Sequence, residues 1–519
     1  MFLQRIGNKG IRLGTVFDRA AARHPANPVY LDHDLDIAPG LGRRPTLTEL
    51  ADLVDDFASR LWAAHVRPGQ RVAVFKTDNF DISLLAYAVA RVGGVPVLLS
   101  PKLDGGTVAR LLERLDRPVL LTDAAKLDGE LPEEVFTLAD RVLTAVGDFP
   151  GAVGLEGLAG VPRVAPVTMP QDGPALVTHT SGTTGLPKLA VQTGLTIQAR
   201  CRPQSAVLAA VGRHEPLALH VSFAHSRMIS GVALFALRGH PLIVLRDDDP
   251  ESVAELFARI PPGVIEAHPN TLLAWEVLAD HPARPLARVT CFSNTFDAIH
   301  PRTVRTLLAA SRRRAPYFAQ TYGQSETGAI AARTYTRRHR TGEEDRCVGT
   351  TFPGMTRVRV VSRDGRPVSR TSPGRIEVRS GGRILTYLGE EERYGEQVTP
   401  DGWWRMGDLG YRTKFGCLHL LDREVDEIPG INSTLEIEDR LFSSIPSLVE
   451  VIIVPGPDGR AVPVVCTRDD APLDPLVWQR AVADLPMLAR PVQRRLDELP
   501  HTATTKVKRL ELARQLAES

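Results

Sequence analysis

The chain has 519 residues, a formal net charge of +2, and is 43% hydrophobic and 24% charged. These are the proportions of a soluble globular protein with more than one domain, and the charge argues neither for nor against a nucleic-acid partner. Five cysteines (Cys201, Cys291, Cys347, Cys417 and Cys466) lie far apart with no C-x-x-C, which excludes the usual zinc spacings and points to packed thiols in a reducing compartment.

The opening MFLQRIGNKGIRLG has no apolar run suited to a signal peptide, and no stretch reaches the roughly 18 to 20 apolar residues of a membrane helix. The expected setting is cytoplasmic, with no membrane. Leu13 to Arg23 has apolar residues at helical spacing and ends at HPANP, a stop signal. PVYLDHD then reads as a strand. Thr46 starts a helix with Leu47, Leu50, Leu53, Phe57 and Leu61 on one face. After Gly69 come a strand RVAVF, a helix from Asp81 to Val92, the pair Gly93–Gly94 and a strand VPVLLS. DGGTVARLLERL and PVLLTD repeat the alternation, which predicts a parallel sheet with helices on its faces. Residues 128–173, rich in Gly and Pro, read as a loosely structured link.

Val177 to Leu189, VTHTSGTTGLPKL, concentrates Thr180, Ser181, Thr183 and Thr184 hydroxyls, Gly182, Gly185 and Lys188. Hydroxyls, closely approaching amides and one cation can wrap a polyphosphate. The G-x-x-x-x-G-K-[ST] spacing is absent, and a polar surface loop is the plain alternative. Downstream, PLALHVSFAHSRMISGVALFALRGHPLIVL gives a strand, a turn and an apolar helix. His225 is a pocket residue or a hydrogen-bonded core residue. Arg227 on an apolar wall must meet an anion or a carboxylate, or reach solvent. The run Ser293 to Asp297, SNTFD, carries no glycine. Tyr322 to Gly328, YGQSETG, sets an aromatic face beside the Glu326 carboxylate, which suits a base and a magnesium ion bridging to phosphate. Arg312 to Arg314 and TRRHRTGEEDR read as solvated loop faces, a poor basis for nucleic-acid binding. VGTTFPG, GRIEVRSGG and Tyr387 read as a β-rich subdomain. GWWRMGDLGYR carries Asp408, and a carboxylate can accept two vicinal hydroxyls. LDREVDEI carries Arg423. The last hundred residues give a helix, a hairpin, a second helix and the basic tail LPHTATTKVKRLELARQL.

These runs resemble, in order and over nearly the whole chain, the motifs of the adenylate-forming superfamily: acyl-CoA synthetases, peptide-synthetase adenylation domains and luciferases. The resemblance implies an α/β fold. Residues 1–421 would form a large ATP- and acid-binding domain of parallel sheets, helices and a β-rich subdomain. Residues 422–519 would form a small, mobile α+β domain. It further implies that Thr180, Ser181, Gly182, Thr183, Thr184, Gly185 and Lys188 surround the ATP phosphates, and that Tyr322 stacks on adenine. Ser325 would contact phosphate, Glu326 hold magnesium, Asp408 and Arg423 hold ribose, and His225 and Arg227 line the acid pocket. Lys506, with Arg509 three residues on, takes the place of the catalytic lysine that neutralises charge building at the α-phosphate. Glu326 and Lys506 are the implied catalytic pair.

The sequence departs from this pattern at Leu189, Ser325, Met406 and Thr505. In the hinge, Val425 replaces an Asp, and Ile431–Asn432 replace an aromatic–Arg pair. These departures touch the thioester-forming face and suggest a branch serving secondary metabolism. Three functions follow. The first activates a small carboxylic acid as an acyl-AMP anhydride, releases pyrophosphate and transfers the acyl group to CoA, a carrier protein or an amine. The second is a diazotase, activating nitrite with ATP for attack by an aryl amine. The third binds nucleotide without turnover.

Overall fold

The computed structural model describes residues 10–180, 186–208, 211–212, 215–294, 299–339, 346–501 and 507–518. Local chemistry sets the elements. The Leu47–Ala63 helix opens on a capping box, in which Thr46 Oγ1 accepts from Glu49 N at 3.2 Å and Glu49 Oε2 accepts from Thr46 N at 2.7 Å. This reciprocal pair satisfies two amides that the first turn leaves unbonded. Its buried stripe is Leu47, Leu50, Val54, Phe57 and Leu61. Leu53, expected on that face, lies at the margin and is only partly buried.

After β1 (Val29–Leu31) come β2 (Arg71–Val74), β3 (Val95–Leu98), β4 (Val119–Thr122), β5 (Arg141–Thr144), β6 (Val153–Gly154), β7 (Pro174–His179) and β8 (Leu189–Thr193). With the later β18 (Thr386–Tyr387), β2 to β8 make an eight-stranded sheet in the order β18-β8-β7-β3-β2-β4-β5-β6. Its pairs are parallel except those at β8, which runs antiparallel to both neighbours. Residues 128–173 are therefore more than a link. They supply β5, β6 and a short Val135–Leu138 helix, because Val142 and Leu143 bury on the sheet beside β4.

The second sheet holds β1, β9 (Leu217–His220), β10 (Leu242–Val244), β11 (Val264–Ala267), β12 (Cys291–Asn294) and β13 (Tyr317–Gln324) in parallel. It continues antiparallel through β14 (Gly328–Thr336), β15 (Cys347–Thr351), β16 (Thr356–Val361), β17 (Gly374–Ser380), β19 (Trp404–Arg412) and β20 (Leu418–Arg423). The twelve strands run β1-β10-β9-β11-β12-β13-β14-β15-β20-β19-β17-β16. The β-rich part expected as a subdomain is thus hydrogen-bonded edge to edge with the parallel part. The join is narrow: β15 meets β14 through Ala331↔Thr351 and Ala332↔Thr350, and meets β20 across a bulge. Gly349 at that bulge has φ +88°, and any side chain there would collide with the Ala332 carbonyl.

Helices fill the space between the two sheets. The Asp81–Arg91 helix is buried on nearly every side. It is tied to the second unit by Ser83 Oγ donating to Phe223 O at 2.9 Å and Tyr87 OH donating to Ile229 O at 2.6 Å. Each fully buried Leu, Ile or Phe here contributes about 1.5–3 kcal/mol. Four of the cysteines are buried and Cys417 is half-buried. The basic runs are less solvated than expected: Arg313 pairs with Glu215 at 2.9 Å, and Arg337 Nε donates to Leu308 O at 3.1 Å.

From Ile428 on, the chain builds cores of its own around a three-stranded sheet, β21-β22-β23, with β21 (Leu448–Pro455), β22 (Ala461–Thr467) and β23 (Val492–Gln493). The Asp422 carboxylate accepts from Thr434 N at 2.8 Å and Thr434 Oγ1 at 2.9 Å, stitching β20 to the Thr434–Ser444 helix. Among the described residues no helix is long and apolar enough to cross a membrane.

Candidate active site

The hairpin β7–β8 presents the hydroxyl-rich run. Thr180 N donates to Lys188 O at 2.9 Å, extending the hairpin pairing one step beyond His179 and Leu189. Ser181, Gly182, Thr183, Thr184 and Gly185 lie outside the described residues. Thr180 Oγ1 is buried and has no hydrogen-bond partner among the described residues, which leaves a donor for a ligand oxygen. His179 holds the start of the run. Its Nε2 accepts from Ser100 N at 3.0 Å, so Nδ1 carries the proton and donates to Thr180 O at 3.2 Å. Burial lowers its pKa and keeps the ring neutral.

Lys188 and Glu326 are brought together, as the sequence predicts for two phosphate-end groups. Lys188 Nζ stands 3.7 Å from Glu326 Oε1 and donates to Tyr387 OH at 3.1 Å. Tyr387 OH in turn donates to Glu326 Oε1 at 2.5 Å, and the ammonium also lies 4.5 Å from the Tyr387 ring centroid. Burial lowers the Lys188 pKa, with Glu326 opposing that shift. Tyr387 is 1% exposed; burial raises its hydroxyl pKa, so it remains a donor. Oε1 takes all these contacts, and Oε2 makes no hydrogen bond among the described residues. A carboxylate with one oxygen open among the described residues suits a magnesium ion shared with phosphate oxygens. Among the described residues no cluster of three or more His, Cys, Asp or Glu could hold a metal unaided.

At the other end, Tyr322 OH donates to Asp408 Oδ2 at 2.5 Å, and Arg423 Nε lies 3.6 Å from Asp408 Oδ1. The ladder explains this, because Asp408 and Arg423 are cross-strand partners in β19–β20. A bulge after Tyr322 turns the chain from β13 into the Ser325–Glu326 turn. There the Ser325 carbonyl accepts from Arg200 Nη2 at 2.7 Å. Met406 has a packing role: Gln324 Nε2 donates to its carbonyl at 3.1 Å. Ser293 and Asn294 end β12, buried, while Thr295 to Asp297 lie outside the described residues.

His225 caps the Ser226–Arg238 helix, its Nδ1 accepting from Arg227 N at 3.1 Å. Burial, with His268, Arg200, His179 and Arg227 nearby, drives its pKa down to about 3. Arg227 does not reach solvent. It is 7% exposed, with Nε and Nη2 donating to Glu266 Oε1 at 2.5 Å and Oε2 at 2.7 Å, and Nη1 donating to Gln204 Oε1 at 2.7 Å. Gly231, one turn on, makes the room: a Cβ there would come within 3.0 Å of Arg227 Nη1. Lys506 and Thr505 lie outside the described residues. Arg509 beyond them is clamped on Glu438 at 2.6 and 2.7 Å.

Sequence reasoning missed Tyr387, His179, Arg200 and Glu266 as neighbours of these groups. Tyr387 stands in a two-residue strand that pairs with Ala190, two residues from Lys188, a juxtaposition that local pattern does not encode.

Residues 17–388, which include Tyr387, match the AMP-binding enzyme family. The chain is 48% identical to the 3-amino-2-hydroxy-4-methoxybenzoate diazotase of Streptomyces cremeus, over 97% of this chain and 95% of that one. It is 26% identical to the 3-aminoavenalumate diazotase of a Streptomyces species, over 80% of this chain and 76% of that one. Among solved structures, the amide bond synthetase McbA from Marinactinospora thermotolerans superposes with a TM-score of 0.78 at 23% identity, covering 97% of this chain and 100% of that one. Its shared two-domain fold is the one expected from the sequence. The lysine and carboxylate that meet at the mouth of β7–β8 lie within the matched residues, and the chain belongs to the AMP-binding enzyme family as an adenylate-forming enzyme of the ligase type.

Proposed function

We propose that the enzyme is an ATP-dependent diazotase, joining nitrite to AMP and delivering the nitroso group to an aromatic amine. One observation carries this reading: the 48% identity along 97% of the chain to the Streptomyces cremeus diazotase. A nitrite oxygen attacks the α-phosphorus of ATP and pyrophosphate leaves. The amine nitrogen attacks the nitroso nitrogen, and the N–O bond to AMP breaks with release of one amine proton. The second amine proton and one from solvent leave as water with the nitroso oxygen, giving the diazonium. No electrons enter or leave.

With no covalent enzyme intermediate, the chain's work is positioning and charge neutralisation. Thr180, Ser181, Gly182, Thr183, Thr184, Gly185 and Lys188 take the β- and γ-phosphates, with Ser325 beside them. Tyr322 stacks on adenine, and Asp408 and Arg423 exchange their mutual contact for the ribose hydroxyls. Glu326 would hold magnesium at its open oxygen, the ion supplying charge neutralisation on the phosphates. Tyr387 fixes the distance between Lys188 and Glu326. His225 stands on the pocket wall. Arg227, whose guanidinium is bidentate to Glu266, supports that wall and leaves the substrate anion to other groups. Residues 422–519 form the small domain that brings Lys506 to the reacting centre, and residues 1–421 the large one.

CoA is not the acceptor in this reading. Val425 is 64% exposed, and Ile431 packs on the small core, in places where thioester formers carry an acid and an aromatic side chain. The Streptomyces relatives fit a role in secondary metabolism. The test is AMP release with nitrite, with aminobenzoates and with both. Release that requires both is the expected result. Pyrophosphate exchange driven by a carboxylic acid alone would return the chain to acyl-adenylate chemistry.

A further inference from the structure

Arg200 is a second buried arginine, 8% exposed, on the Gly194–Val207 helix. Its Nε donates to Gly382 O at 2.9 Å and its Nη2 to Ser325 O at 2.7 Å. Among the described residues no carboxylate makes an ion pair with it; Glu326 is felt only through space. Burial pulls its pKa down to about 10. A guanidinium held by carbonyls alone keeps most of its desolvation cost and is a strong site for an anion.

The backbone is shaped around this side chain. Gly328, at φ +67°, passes so closely that a Cβ would stand 2.8 Å from Arg200 Cγ, and a Cβ on Gly382 would stand 3.1 Å from the same atom. Arg200 lines a cavity of about 210 Å³, together with Arg202, Pro203, Thr327, Ala329 and Met355. A cavity of about 150 Å³ accepts a benzene ring, so this one fits a single ring with small substituents. Pro203 and Met355 are apolar residues of its lining. Ser325 and Thr327 flank Glu326, so a ligand here abuts the turn that carries the metal-binding carboxylate.

We propose that this cavity is a subsite for a monocyclic aromatic carboxylate, with Arg200 binding the ring carboxylate of the arylamine acceptor. The assignment of the ligand as acceptor rests on the diazotase reading; binding of the carboxylate does not.

Benzoate, which has the ring and the carboxylate but no amine, is titrated calorimetrically into the full chain without ATP or nitrite. Saturable binding is expected. Arg200→Met should weaken it about ten- to hundred-fold, the range for one charge-assisted contact, and Arg200→Lys should recover part of the loss. Ala329→Phe, which fills the cavity from β14 and leaves Arg200 in place, should abolish binding, with a melting curve to verify folding. Absence of benzoate binding, or binding unchanged in the folded variants, overturns the subsite. In the AMP-release assay benzoate should compete with 3-aminobenzoate; inhibition that excess amine does not relieve would mark a separate effector site and overturn the acceptor assignment. Benzoate binding without nitrite-dependent AMP release would remove the diazotase reading and leave the subsite standing.

Discussion

Two buried cation–carboxylate pairs in this enzyme behave oppositely. Arg227 and Glu266 form two hydrogen bonds of 2.5 and 2.7 Å, with side chains 7% and 5% exposed. Lys188 and Glu326 stand 3.7 Å apart, with Lys188 24% exposed and Tyr387 bridging them. The first pair has used its bonding capacity on itself, so it neutralises a buried charge and fixes the Ser226–Arg238 helix against β11. The second retains a carboxylate oxygen unbonded among the described residues and a part-exposed ammonium, and that capacity is what a polyphosphate and its metal can take. A finished pair holds the wall of the site; an unfinished one belongs to the chemistry.

The largest effects should come from the unfinished pair. Glu326→Gln and Lys188→Met should each lower kcat for AMP formation about 10²–10³-fold, the usual loss for one electrostatic group at a transition state, with little change in the unfolding midpoint. A wild-type rate in either variant would end the distinction. The finished pair should answer in stability instead. Arg227→Met strands the Glu266 carboxylate and should cost about 3–5 kcal/mol in denaturant unfolding, while Arg227→Met with Glu266→Met should regain most of it. A folded Arg227→Met enzyme with normal stability and a raised KM would show that the arginine binds substrate after all. Tyr387→Phe should be milder: it removes both bonds of the bridging hydroxyl, about 1 kcal/mol each, and should raise the KM for ATP about ten- to thirty-fold.

A pH-dependent effect tests a buried carboxylate that has hydrogen bonds but, among the described residues, no ion pair. Burial raises the Asp422 pKa to about 6, against the helix-capping bonds to Thr434 that oppose it. The unfolded value is about 3.9, so across that window the native state holds the extra proton. Stability should therefore fall as pH rises from about 4 to about 6 and stay at its lower level above. Asp422→Asn should flatten that slope in equilibrium unfolding followed at several pH values.

The alternation of apolar runs made the parallel part of each sheet legible, because most strands and helices there are coded by their own period. Three motifs also singled out Lys188, Glu326 and Asp408, because the phosphate, metal and ribose roles proposed for them each call for a particular side-chain type. What stayed hidden depends on pairing across long separations. Tyr387 reaches Lys188 only because a two-residue strand adds to β8, and Glu266 reaches Arg227 only because β11 lies under the Ser226–Arg238 helix. Residues 128–173 looked like a link because β5 and β6 are short and separated by Gly and Pro, a composition that outweighs a four-residue strand.

The narrow join at β15 has a mechanical side. Tyr322 lies on one flank of that two-rung seam and Asp408 on the other, clasped through a single hydroxyl. A nucleotide that replaced the clasp would act as a splint across that two-rung line of the twelve-stranded sheet. Amide protons of β15 and β20 should then exchange with solvent fastest in the empty enzyme and slow markedly once adenosine phosphates bind.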